Sequence, residues 1–343
     1  MIDRVSSSDV VILFGGSSNE RRVAVASGQN VASVVTEAAL WFLAPGGAVH
    51  EVTADELQAF QRPFERDFIP SKPPFAASID DALDPARVFF FALHGGEGED
   101  GTLQRICEDR RIAFTGPGSA ASAQAYDKEV AKQVAMEAGV RIAESVHLPR
   151  RTEQAQQVMR EMLELHGRIV VKPVAGGSSV GLHHIVAEAQ IDPAVNAIEA
   201  TGEAYLAEAF VAGAELTIGV VESTKGTRAL PPSEVRMEAG RAFDFEGKYL
   251  GKGTREITPA EVSPEVARAS QDLALAAHAA LGCEGYSRTD LIVGPRGPVF
   301  LELNTLPGLT RMSFIPQQLA ADGTPLASFL EDQITLARRR RDR

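Results

Sequence analysis

Cysteine is nearly missing from this chain: Cys107 and Cys283 are the whole complement, 176 positions apart. Two such residues build no disulfide framework, and without a CxxC pair there is no zinc spacing either. A reducing, cytoplasmic compartment is therefore expected. Long apolar runs are also missing. Val10 to Phe14 gives only five residues before Gly15-Gly16, too short for a signal-peptide core or a bilayer span. Basic residues are in deficit, 34 against 46 acidic, for a net charge of −12. That balance speaks against nucleic-acid and anionic-membrane partners. The basic tail, Arg338 to Arg341 with Arg343, is expected to be the solvated end of a terminal helix, where cations suit the macrodipole.

What remains is a chain of 343 residues, 44% hydrophobic and 23% charged, sized for two or three globular domains. The opening third alternates strands and helices. Val10 to Phe14 feeds a glycine loop and a helix running to about Ala39, and Val88 to Leu93 is a second continuous apolar strand of the parallel-sheet kind. An α/β domain over residues 1–117 is the reading. Pro70 to Pro74 holds three prolines in five residues and reads as a surface loop. A helix from about Ser119 to Gly139 opens a central domain over 118–210, with strands at Arg168 to Pro173 and Ala204 to Ala207. The last domain, 211–343, contains a loop around Asp244 to Thr254 and a helix from Ser263-Pro264-Glu265 to Gly282.

The most chemical segment is Phe300 to Gly308. Glu302 and Asn304 lie two apart at the end of an apolar run, so on a strand both oxygen-bearing side chains share a face. Arg288-Thr289-Asp290, upstream, repeats the spacing with a guanidinium and a second carboxylate. Two carboxylates and an amide suit a hard cation such as Mg2+, which shares its oxygen ligands with phosphates. Lys172 precedes Gly176-Gly177-Ser178-Ser179-Val180-Gly181, a loop whose backbone N–H groups suit phosphates, although a Walker A loop needs its lysine after the glycines. The bland alternative is a tight hairpin with a solvent-facing lysine. Gly96-x-Gly98-x-x-Gly101 matches a dinucleotide fingerprint, which keeps an NAD-dependent oxidoreductase as the competing class. Yet Glu97, Glu99 and Asp100 would repel the pyrophosphate. His94 before it is either a buried loop histidine or a substrate contact. Glu20 stands at a helix N-terminus, where an acid is favoured anyway and a substrate ammonium is the functional alternative. Lys248 and Tyr249 sit in a glycine-rich loop of the kind that forms lids.

Taken in this order, the segments Gly15-Gly16-x-Ser18-x-Glu20-Arg21-x-Val23, His94-Gly95-x-x-Gly98-Glu99-Asp100-Gly101, Lys172-Pro173 with Gly177 to Gly181, Arg288-x-Asp290 and Glu302-x-Asn304-Thr305-x-Pro307-Gly308 resemble the D-alanine–D-alanine ligases of the ATP-grasp superfamily. The resemblance runs through nearly the whole chain. It implies a Rossmann-like N-terminal domain and two α+β domains that sandwich ATP. Lys128 and Lys172 would contact phosphates, and Ser179 and Lys248 would also bind the nucleotide; Glu208, Phe210 and Val211 would read adenine; Glu215 would hold the ribose. Asp290, Glu302 and Asn304 would carry two Mg2+ ions, or Mn2+ in their place. Glu20 would bind the first D-alanine's ammonium and form a triad with Ser178 and Tyr249. His94 and Ser313 would help hold the substrates, and Arg288 with the Gly308 N–H would stabilise an oxyanion. The implied reaction makes D-alanyl-D-alanine for peptidoglycan through an acyl phosphate, with D-serine or another amino acid as alternative acceptor; a homodimer is also implied. Ala24 departs from the family's usual serine, and Val174-Ala175-Gly176 is less polar than usual. Tyr249 matches members that use an amine acceptor rather than D-lactate.

Overall fold

The computed structural model describes residues 5–177, 180–237 and 254–341. The first sheet has five strands in the order Val49–Val52, Ala39–Leu43, Val10–Gly15, Val88–Leu93, Ala113–Phe114, parallel except at the first pair. Val10–Gly15 and Val88–Leu93 are buried along their whole length, as continuous apolar strands covered on both faces must be. The expected first helix is shorter than read, spanning Arg21–Ala32. The β-branched run Val34-Val35-Thr36 ends it, because such side chains favour extended backbone, and Val35–Thr36 pairs with Val5–Ser6.

The single helix expected over 119–139 is two, Ser119–Tyr126 and Lys128–Glu137. Asp127 breaks it by accepting the N–H groups of Glu129 and Val130 as an N-cap. A four-stranded antiparallel sheet follows, His183–Ile185, Ile169–Pro173, Tyr205–Ala209, Ser145–His147, with the helices Thr152–His166 and Ile191–Thr201 against it. The third sheet is antiparallel: Thr254–Ile257, Ser233–Met237, Ala214–Ser223, Tyr286–Gly294, Gly297–Asn304, with Gly226–Ala229 also on Ala214–Ser223. The helix Pro264–Ala280 covers it, capped by Ser263 as expected.

The terminal helix Leu326–Arg341 overturns the solvated-tail reading. It returns to the first sheet, where Phe329, Leu330 and Ile334 join the core of Phe89 to Leu93. Arg338 forks onto Asp9, while Arg340 bonds Gly116 O at 2.8 Å, pairs with Glu284 at 2.7 Å and lies over the Phe114 ring. The arginines hold the first and last parts of the chain together. Among the described residues no helix is long and apolar enough to cross a membrane.

Candidate active site

Tyr286–Gly294 and Gly297–Asn304 form an antiparallel pair in which Asp290 faces Glu302 and Arg288 faces Asn304. The register shifts after Asp290, so Leu301 is an extra residue with no opposite partner, a β-bulge. The bulge reverses the pleat. Phe300 is fully buried in the core beside Leu291, whereas Leu301 and Glu302 both line a cleft. Four chemically active side chains therefore share one end of one hairpin.

Asp290 is buried and heavily bonded. Arg288 reaches it with Nε at 2.9 Å and Nη2 at 2.8 Å, Thr217 donates its hydroxyl, and Asn304 donates Nδ2 at 3.3 Å. The Asn304 bond uses the amide nitrogen, its non-ligating end. Lys128 approaches Glu302 at 3.5 Å and donates to Gly176 O, which ties the helix Lys128–Glu137 to the hairpin. Among the described residues no three or more His, Cys, Asp or Glu side chains form a group that could by itself hold a metal ion. Two carboxylates and an amide fit Mg2+ only as part of its shell, the rest coming from phosphate oxygens and water. That is the usual way Mg2+ is bound in phosphate chemistry, so the donor set fits.

Two cavities meet at these acids. The larger, about 800 Å³, lies between the central and last sheets, lined by Lys128, Lys172, Glu208, Phe210, Val211 and Glu215 as well as Asp290 and Glu302. That volume suits a cofactor-sized ligand. Lys172 is 8% exposed, which removes the solvent-facing-lysine alternative although its loop does join two hairpin strands. Its Nζ lies 3.0 Å from Glu208, and Lys132, 2% exposed, pairs with the same carboxylate. Burial pushes Glu208 up, but the Lys172 and Lys132 ammoniums outweigh it and hold the carboxyl below its ordinary value. The side chain that the resemblance gives to adenine is thus engaged by two lysines. Beyond it, Arg168 stacks 3.6 Å over the Phe210 ring. Gly213 closes this connection, because a Cβ there would stand 2.2 Å from Val293 O.

The smaller cavity, about 140 Å³, is lined by Glu20, His94, Glu99, Arg288, Gly308 and Ser313, with Val23, Phe64 and Met312. Glu20 is the N-cap residue of Arg21–Ala32, and its Oε2 would lie 3.1 Å from a Cβ at Gly95 and 3.4 Å from one at Gly177. At Gly95, whose φ is +65°, a side chain would crowd the acid, whereas at Gly177 the contact is an ordinary one. His94 resolves towards the buried loop histidine. Its Nδ1 donates to Leu306 O at 2.7 Å, and its Nε2 accepts from Ser27 Oγ at 2.8 Å, which itself accepts the Leu309 N–H. Burial lowers its pKa, in keeping with this neutral tautomer. Ser313 Oγ accepts the Thr310 N–H at 3.1 Å, bracing the same turn.

Glu99 excludes the dinucleotide reading of Gly96 to Gly101. Its carboxylate already accepts the N–H groups of Gly95 at 2.8 Å and Leu306 at 2.9 Å, where a pyrophosphate would need donors. Surrounded by protein, with Glu20 nearby, it is pushed up to about 7. Ser178, Ser179, Lys248 and Tyr249 lie outside the described residues. Sequence reasoning missed Lys132, Thr217 and Arg168. Lys132 alone had a signal, four residues after Lys128 on one helix face.

Family models for the D-Ala–D-Ala ligase N-terminus and C-terminus match residues 9–117 and 134–335. The chain belongs to the D-alanine–D-alanine ligase family. Curated relatives named D-alanine–D-alanine ligase include one from Leptospira interrogans, 32% identical over 96% of this chain and 98% of its own. Another, from Methylobacterium radiotolerans, is 37% identical over 92% of this chain and 94% of its own. Among solved structures, the VanG D-Ala:D-Ser ligase of Enterococcus faecalis is similar at TM-score 0.78 and 26% identity, covering 98% of this chain and 100% of that one. The D-alanine–D-alanine ligase of Coxiella burnetii, at TM-score 0.79 and 24% identity over 99% and 95%, shares the fold. The fold is ATP-grasp, and the oxidoreductase alternative falls with this membership.

Proposed function

We propose that the protein joins two D-alanines at the cost of one ATP, in the cytoplasm, for peptidoglycan synthesis. The observation that carries the reading is the meeting of a nucleotide-sized cleft and a small acid-rimmed cavity at Asp290 and Glu302. ATP would lie between the central domain (118–210) and the last (211–343), with residues 1–117 closing the substrate side. Lys128 and Lys172 would hold phosphates with Ser179 and Lys248; Phe210 and Val211 would read the base beside the anchored Glu208, and Glu215 the ribose. Asp290, Glu302 and Asn304 would hold two Mg2+ ions, which neutralise charge building on a transferred phosphoryl group.

The chain's own groups then do the rest. Glu20, at a helix N-terminus between two glycine loops, takes the ammonium of the first D-alanine and aims its carboxylate at the γ-phosphate, with Ser178 and Tyr249 completing that contact. Attack of the carboxylate oxygen expels ADP and leaves an acyl phosphate. The amine of the second D-alanine attacks the carbonyl carbon, and phosphate leaves with the carboxylate's former oxygen. Arg288 and the Gly308 N–H stabilise the intervening oxyanion, worth roughly 3–4 kcal/mol per well-placed donor. His94 and Ser313 hold the Leu306 to Thr310 turn that presents Gly308. A homodimer, without nucleic-acid or membrane partners, completes the proposal.

Purified protein incubated with ATP, Mg2+ and D-alanine should release phosphate and D-alanyl-D-alanine in equal amounts, followed by mass. The likeness to a D-Ala:D-Ser ligase makes D-serine the first alternative acceptor to offer. ATP binding without any product from D-alanine would overturn the substrate assignment.

A further inference from the structure

Lys132 is among the largest fully buried side chains, yet it does not line the nucleotide cleft. It projects from the buried face of Lys128–Glu137, beside Ala131 and Ala135, and its ammonium meets Glu208 Oε1. The other oxygen of that carboxylate faces Lys172 Nζ at 3.0 Å. Glu208 is 3% exposed, so its charge has almost no water to fall back on. A buried carboxylate stripped of its cation is strongly unfavourable, and a lysine that is its sole partner is not readily released. Two lysines on one carboxylate leave a net positive charge, and Lys172 is the member that also lines the cleft.

We propose that Lys132 is a positioning residue that keeps Glu208 neutralised, so that Lys172 can turn from Glu208 to a nucleotide phosphate. The inference rests on the ATP reading of the cleft and assigns Lys132 no contact with the ligand. Burial lowers Lys132 to about 8, the cost of keeping a cation where no phosphate reaches it. Lys172 alone would otherwise have to serve both anions, the fixed carboxylate and the arriving phosphate. Lys132 separates these tasks.

The test is a double-mutant cycle on ATP–Mg2+ binding, by titration calorimetry, with wild type, Lys132→Met, Glu208→Gln and the double variant. Lys132→Met should weaken ATP binding by about tenfold or more, because Lys172 is then locked on Glu208. In the Glu208→Gln background the same substitution should change affinity less than about twofold, since no charge remains to be neutralised. A purely packing role for Lys132 would cost the same in both backgrounds and would overturn the proposal. If Lys132→Met fails to fold, the comparison of Glu208→Gln with the double variant still decides: a tenfold difference between them contradicts the inference. Wild-type protein that binds no ATP removes the cleft reading and this inference with it, whereas wild-type binding with an uncoupled cycle removes only the role of Lys132.

Discussion

Glu302 is the residue on which both cavities and two parts of the chain converge. Gly297–Asn304 presents it, the bulge at Leu301 turns it outward, and Lys128 of the helix Lys128–Glu137 reaches it. Its proposed task is to share a cation with phosphate oxygens, which an uncharged amide does poorly. Glu302→Gln should lower kcat at least about a hundredfold, since neutralising the transferred phosphoryl is worth several kcal/mol. Its circular dichroism and Tm should stay close to wild type, because the side chain is not part of the hydrophobic core. Wild-type-like turnover in that variant would remove the metal assignment. The residues with reactive groups were legible in the sequence because oxygen donors two apart at the end of an apolar run have few structural uses. Lys132 and Thr217 were not. A buried lysine on an alanine-rich helix and a threonine on a strand look like ordinary residues until a carboxylate from elsewhere is placed against them.

Between elements, the decisive device is the turn from Leu306 to Thr310. Four side chains from the first third of the chain grip it: Glu99 on Leu306 N–H, His94 on Leu306 O, Ser27 on Leu309 N–H and Asn30 on Leu309 O. Within that frame Gly308 has no room for a side chain, since a Cβ would lie 2.6 Å from Ser313 Oγ. Gly308→Ala should displace the serine or the turn, and a shift near 1 Å at a catalytic donor costs about a hundredfold. The loss should fall on kcat with ATP affinity little changed, which steady-state kinetics at saturating ATP would read; unchanged kcat would remove the Gly308 N–H from the mechanism. Elements whose pattern is local were readable: the apolar strands at Val10 and Val88, the Ser263 cap, the proline-rich loop. The break at Asp127 and the early end at Ala32 were harder, because a capping aspartate also occurs inside helices and valines serve helix and strand alike. The bulge at Leu301 left no trace, as an apolar run gives no sign of where its pleat reverses.

At the scale of the whole molecule, the last helix closes the structure onto its beginning. Arg338 and Arg340 bridge Asp9, Gly116 and Glu284, contacts between residues far apart in sequence that no local pattern could announce. A run of arginines at a chain end looks solvated for that reason. The α/β opening and the order of motifs were legible, whereas the meeting of the two cavities emerged only from the assembled fold. That meeting makes the central claim specific: one carboxylate is phosphorylated and then attacked without leaving the site. D-alanine labelled with 18O in both carboxylate oxygens tests it most directly, with the released phosphate analysed by mass spectrometry. One 18O atom per phosphate, appearing together with D-alanyl-D-alanine, is the predicted result. Phosphate without label would mean that no acyl phosphate forms from D-alanine, and would contradict the account at its centre.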